Sequence, residues 1–373
     1  ISFEYFMQEE LRATKINSRY IPSLDGLRAV SIFLVVISHI SIGIYHDYGA
    51  NFTPTQSIVQ TLFLVGHLGV LVFFLISGFL ITTLIIKDEK FSLRRFYIRR
   101  VLRIIPPYYF YILVIFILGV CGIFVLSFQN IFSALLFIKN YYYDDAVADS
   151  WNFAHTWSLS VEEQFYILIP ITLVLMGKMK GRYAIICIII ICPILRFLYI
   201  LNNTDSSVEL SPFHLVADSL AMGCLLALYR NELHGKNWYK AILNCPLINV
   251  IPVVVLIITW LGRFPAYMPK GIYVLMFIAV QNLLIALFID RVITVKTGFV
   301  YRALNLKWVG FFGKISYSIY LWQQLFLNPD LKIPIPLKVL FFLAAAVFSY
   351  YIIEIPSQRL KQKLEAKWKK SLS

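Results

Sequence analysis

The residues best able to do chemistry here are ionisable groups set in apolar sequence. In the run SLDGLRAVSIFLVVISH, Arg28 and His39 stand eleven residues apart. Eleven residues are just over three helical turns, so both side chains share one face, about 16 Å apart along the axis. An imidazole takes a proton near neutral pH, which suits it as a general base toward a hydroxyl. A guanidinium on the same face anchors anionic oxygens. The pair suits a donor with phosphates at one end and a reactive acyl group at the end of a long arm. The competing reading is a structural histidine hydrogen-bonded to a neighbouring helix.

Other segments add candidates. Arg100 and Arg103, in FYIRRVLRIIPPYY, are three residues apart and neighbours on one helix face. They form either a phosphate clamp or a positive anchor at the membrane surface. Pro106 and Pro107 are expected in the first turns of that helix, where proline is tolerated. The stretch NFAHTWSLSVEEQFY places His155 and Trp157 just ahead of Glu162 and Glu163. Ser160 followed by Glu163 is a capping-box pattern, which explains one glutamate and not the other. Alternatively the four side chains form an outward-facing cluster that holds a sugar through carboxylate hydrogen bonds and aromatic stacking. Asp218, an acid inside an apolar run, is a candidate substrate contact or a partner for an arginine. Gln323 follows Trp322 in SYSIYLWQQ, where the aromatics read as an interfacial belt.

These residues must be positioned by helices in lipid. Of 373 residues 59% are hydrophobic and 14% charged, against about 25% charged in soluble chains. Stretches of about 20 apolar residues cross the hydrocarbon, and ten candidates stand out: Leu27–Tyr45, Leu62–Ile86, Ile104–Leu126, Leu159–Met176, Tyr183–Leu201, Phe213–Leu228, Ala241–Leu261, Ile272–Ile289, Trp308–Phe326 and Leu337–Ile353. Ile131–Ile138 is too short to cross. Of 34 basic residues, 26 lie in one alternate set of polar segments and five in the other. By the positive-inside rule this puts both termini in the cytoplasm. The expectation is an all-α integral membrane protein of about ten transmembrane helices. Residues 1–24 form a cytoplasmic arm, 25–355 the transmembrane domain, and 356–373 a basic tail. The net charge of +14 is spread in short blocks between apolar runs, which argues against nucleic-acid binding. The five cysteines show no metal-ligand spacing and read as packing residues, so no metal is expected.

Taken in order, these segments resemble the acyltransferase 3 family of membrane O-acyltransferases. SLDGLRAVSIFLVVISH is similar to that family's first-helix signature. GVLVFFLISGFLI with FYIRRVLRIIPPYY is similar to its second and third helices, and TWSLSVEEQFY and SYSIYLWQQ to later ones. The resemblance runs from about Tyr20 to Ile353. It implies a multi-pass protein of the bacterial inner membrane that moves an acyl group, most often acetyl from acetyl-CoA, to a glycan or glycolipid hydroxyl. Lipopolysaccharide O-antigen and exopolysaccharide are typical acceptors, and self-association into a homo-oligomer is left open. His39 and Arg28 match the family's essential pair, with His39 as base. Arg100 and Arg103 match its arginine pair, at the donor. Glu163, with Glu162, matches the acidic part of the fourth-helix motif, Glu163 being expected to orient acceptor or base and Glu162 to contact the acceptor. His155, Trp157, Asp218 and Gln323 are expected at the acceptor. Val216 and Gln323 depart from the pattern, standing where members often carry Arg and His. The rival class is a transporter or flippase of lipid-linked glycan, which usually shows internal repeats or broken paired helices; the sequence shows neither.

Overall fold

The computed structural model describes residues 21–48, 54–88, 91–142, 150–202, 210–261, 275 and 277–370. Most of the N-terminal arm, with Arg263 and Lys270, lies outside them. Among the described residues every regular element is helical. The first half of the chain comprises α1 (Pro22–Tyr48), α2 (Pro54–Lys87), α3 (Leu93–Val120), α4 (Phe128–Leu135), α5 (Ser150–Ala154) and α6 (Thr156–Asn202). The second half comprises α7 (Phe213–His234), α8 (Asn237–Asn244), α9 (Ile251–Leu261), α10 (Ile278–Thr294), α11 (Gly298–Leu304), α12 (Lys307–Lys314), α13 (Ser316–Phe326), α14 (Ile335–Ser349) and α15 (Ile355–Lys370). A π turn, Tyr350–Glu354, joins the last two.

Among the described residues seven helical stretches are long and apolar enough to cross a membrane, and up to nine if two bent pairs each count as one crossing. The stretch α6 accounts for two of the seven, one on each side of a kink. At Gly177 its backbone leaves the helix, with φ 70° and ψ 167°, a conformation that suits glycine. The bent pairs are Asn237–Asn244 with Pro246–Leu261, and Ile278–Thr294 with Gly298–Leu304. The ninth expected span, Trp308–Phe326, is divided at Ile315 into α12 and α13, eight and eleven residues long. At about 1.5 Å per residue neither piece crosses the hydrocarbon alone.

Helix α2 is the central post, and small residues let its neighbours approach. A side chain at Gly66 or Gly69 would strike Ser38, Ser31 and Val35 of α1. On the opposite face, a side chain at Gly78 would strike the Leu220 carbonyl of α7, and one at Gly223 the Leu75 carbonyl. The Ser77-Gly78 step therefore permits backbone-to-backbone packing. Gly313 of α12 lies in the same way on the Asp25 backbone, which ties the broken late span to the start of α1.

Helix α3 begins earlier than its apolar run. Ser92 caps it, accepting from the Arg95 N–H at 3.5 Å, and Arg94 to Arg103 are all helical. Pro106 and Pro107 therefore sit inside the helix and not in its first turns. Proline has no N–H to give the carbonyl four residues back, and for Pro106 that carbonyl is Leu102. It accepts instead from the Ser357 hydroxyl of α15, so the C-terminal helix satisfies the gap.

Candidate active site

His39 sits two-thirds of the way along α1. Its Nδ1 is 2.8 Å from Oε1 of Gln323 on α13. The Gln323 amide nitrogen faces the Gln324 Oε1 at 3.3 Å and the Tyr320 carbonyl at 3.4 Å, so the oxygen is the atom turned to the imidazole. Nδ1 therefore donates, and Nε2 keeps its lone pair for an incoming proton. Trp151 stands edge-on to the ring with centroids 6.0 Å apart, and its own Nε1 donates to the Gln324 carbonyl at 2.8 Å. The indole, the glutamine pair and the imidazole thus form one fixed unit.

Arg28, at the other end of that helix face, donates to Asp25 at 3.2 Å. Around it gather charges from α3, α6 and the π turn. Glu162 of α6 accepts from the Ser77 hydroxyl at 2.5 Å and lies within electrostatic reach of Arg28, Arg100 and Arg103. Arg100 rests over the Tyr166 ring at 4.3 Å and beside Phe96 at 5.6 Å, with Glu163 near it. Glu354, ahead of α15, accepts from Ser318 and lies within reach of Arg103. Neither Arg100 nor Arg103 is within 4.0 Å of a carboxylate oxygen among the described residues. Both can take anionic oxygens without first breaking an ion pair.

The site thus has two ends joined by helix length. Trp151 is beside His39, and Glu162, eleven residues further along, is level with Arg28. The chains run in opposite directions, so the eleven-residue step in α1 is matched by one along α5 and α6. At 1.5 Å per residue the charged end and the imidazole are about 16 Å apart.

The family model of the acyltransferase domain matches residues 21–355, nearly the whole of this arrangement. The chain belongs to the acyltransferase 3 family of membrane O-acyltransferases. It is similar to the peptidoglycan O-acetyltransferase OatA of Listeria monocytogenes, with 26% identity over 93% of this chain and 57% of that protein. It is also similar to the O-acetyltransferase OatA of Staphylococcus aureus, with 28% identity over 92% of this chain and 58% of that protein. The chain spans a little under three-fifths of the length of these relatives. No solved structure matches it.

Within this member of the family the expected acceptor cluster is dispersed. Glu162 and Glu163 lie with the arginines and not at the His39 end. Ser160 is no cap either, because the helix already starts at Thr156 and the Ser160 hydroxyl donates back to the Thr156 carbonyl at 2.9 Å. His155 is buried between the rings of Tyr111 and Tyr320, at 5.5 and 5.3 Å. Trp157 packs edge-on against Phe74 at 6.1 Å. Asp218 is buried and paired with Arg196 of α6 at 2.5 Å. Trp322 is buried against Phe110 and Tyr111 and forms no interfacial belt. Gln323 stands at His39 itself.

Sequence reasoning did not find Trp151, Ser77, Tyr166, Arg196 or Glu354. Arg196 carried a signal, as a cation inside an apolar run. Serine, tyrosine and tryptophan are common in membrane helices, and only their neighbours give them a role. Among the described residues no group of three or more His, Cys, Asp or Glu is placed to hold a metal ion.

Proposed function

We propose that this protein is an O-acetyltransferase of the bacterial cytoplasmic membrane that uses acetyl-CoA and esterifies a hydroxyl of a cell-surface glycan. The single observation that carries this reading is the pairing of an oriented imidazole with a cluster of arginines one arm's length below it. Arg100 and Arg103, with Arg28, hold the phosphates of the donor at the cytoplasmic end. The extended arm then brings the thioester up the face of α1 toward His39. Nε2 of His39 takes the proton of the acceptor hydroxyl as its oxygen attacks the thioester carbonyl. The tetrahedral intermediate collapses, the C–S bond breaks, and the thiolate leaving group takes up that proton from the imidazolium. The products are an O-acetyl ester and coenzyme A. Gln323 holds the ring in the tautomer that this sequence of proton transfers needs.

The name of the Listeria relative turns the acceptor toward peptidoglycan, in place of the lipopolysaccharide or exopolysaccharide that the family resemblance alone suggested. With the Arg28 end inward, the basic residues of α15 fall on the cytoplasmic side. The test is transfer of label from acetyl-CoA to soluble glycan fragments by the purified full chain, with His39→Ala beside it. Ester formation by the wild type and none by a folded His39→Ala variant supports the reading. Full transfer by that variant removes His39 from the role, and failure to bind or turn over acetyl-CoA overturns the function.

A further inference from the structure

The family model ends at residue 355, and α15 begins there. This helix runs back along α3 toward its start. The Ser357 hydroxyl donates to the Leu102 carbonyl, and further on Glu365 pairs with Arg99 at 3.7 Å. Arg99 precedes Leu102 in α3, so the two helices are antiparallel. Lys361 stands between these contacts, four residues from each. Residues four apart are neighbours on a helix surface, so Ser357, Lys361 and Glu365 share the face turned to α3.

Lys361 is half-buried on that face. The charges within its electrostatic reach are the guanidiniums of Arg103, Arg100 and Arg99 and the carboxylate of Glu365. Glu365 is already held by Arg99. Among the described residues, Lys361, Arg100 and Arg103 have no carboxylate oxygen within 4.0 Å. Like charges that converge without a counterion repel one another, the more so away from water. A lysine serving only to meet the membrane surface would stand on an outer face of α15 and escape that repulsion.

An anion among the three cations removes the repulsion, and its chemistry can be narrowed. The donor carries two kinds of phosphate. Its diphosphate, joined to the arm that ends in the thioester, holds one negative charge on each phosphorus. The 3′-phosphate on the ribose is a monoester and holds nearly two near neutral pH. Three cations gathered from two helices match the dianion. The order along the donor agrees. Arg28 stands at the foot of the face that the arm climbs, level with the diphosphate. The ribose follows on the cytoplasmic side, and α15 leads in that direction from Ile355.

We propose that Lys361 completes, with Arg100 and Arg103, a site for the 3′-phosphate of the donor. The C-terminal helix is then part of the donor site and selects coenzyme A over its dephosphorylated form. The proposal rests on the acetyltransferase reading and gives its donor end a further residue and a selectivity. The ammonium group brings three donors on a flexible stem, and the guanidinium forks approach from α3.

The experiment measures Kd of the detergent-purified full chain for coenzyme A and for 3′-dephospho-coenzyme A by calorimetry, with no acceptor present. The wild type is expected to bind coenzyme A at least about tenfold more tightly, since the other ligand lacks the charge-assisted contacts to that phosphate. Lys361→Gln is expected to lower this ratio about fivefold, in keeping with a half-exposed ion pair. The loss should fall on coenzyme A and not on the dephosphorylated form. Lys361→Arg keeps the charge and should keep most of the preference. Each protein is compared with itself on two ligands, so a loss of folded material cancels. Equal affinities in the wild type, a ratio unchanged in Lys361→Gln, or equal weakening of both ligands by that substitution overturns the site and leaves the acetyltransferase reading standing. Binding of neither ligand by the wild type overturns the acetyltransferase reading beneath it.

Discussion

Replacing Gln323 by methionine tests the orientation of the imidazole most directly. Methionine keeps the length and volume of the side chain, so packing on α13 changes little. It removes the carbonyl oxygen that stands 2.8 Å from His39 Nδ1. Gln323 is wholly buried, so water does not replace the lost acceptor. A buried donor left without its partner costs about 1–3 kcal/mol. The ring escapes part of that cost by rotating or by moving its proton to Nε2, and either change withdraws the lone pair from the acceptor hydroxyl. At 1.4 kcal/mol per factor of ten, kcat is expected to fall by about five- to 150-fold. The proposed phosphate site at the arginines is about 16 Å away, so KM for acetyl-CoA should move less than threefold. Gln323→Glu restores an acceptor oxygen at the same place and should recover more activity than the methionine variant. The assay is steady-state transfer of acetyl from labelled acetyl-CoA by detergent-purified protein, with melting temperature measured in parallel. A methionine variant with wild-type kcat and unchanged stability would refute the claim that Gln323 positions the base.

Other substitutions separate the remaining parts of the site. Arg100→Ala and Arg103→Ala should each raise KM for acetyl-CoA by about ten- to 150-fold, since charge-assisted contacts are worth roughly 1.5–3 kcal/mol; unchanged donor KM in both would remove them from the phosphate site. Arg196→Met strands Asp218 in the protein interior and should cost about 3–5 kcal/mol of stability, read as a loss of folded protein in a thermal denaturation series. Adding Asp218→Leu to that variant should restore much of the loss, and no recovery would show that the pair is not what is being broken. Gly78→Val drives a side chain into the Leu220 carbonyl and should lower the melting temperature sharply, as overpacking costs about 1–3 kcal/mol or more; a wild-type melting curve would mean that α2 and α7 are not in backbone contact.

Much of this protein can be read from the order of its residues. The membrane class follows from the scarcity of charge and the length of the apolar runs. Arg28 and His39 announce themselves because an ionisable group in lipid is costly, and their common face follows from helical spacing alone. Arg100 and Arg103 are legible for the same reason. Where one helix begins, ends or breaks was less legible. Apolar runs mark the hydrocarbon, whereas caps and glycines mark the helix, as Ser92 and Gly177 show.

Which residues share a level of the bundle was decided only by the tertiary structure. Glu162 is separated from Arg28 by 134 positions of chain yet lies within its electrostatic reach, because α6 descends as α1 ascends. Gln323 looked like a departure from a family pattern, and contact with His39 turns it into the residue that sets a tautomer. Arg196 and Asp218 were two isolated charges until α6 and α7 packed side by side. Sequence reports the energetic cost of placing a group in lipid, residue by residue. It does not report which partner offsets that cost, since the partner is chosen by helix packing between segments far apart in the chain.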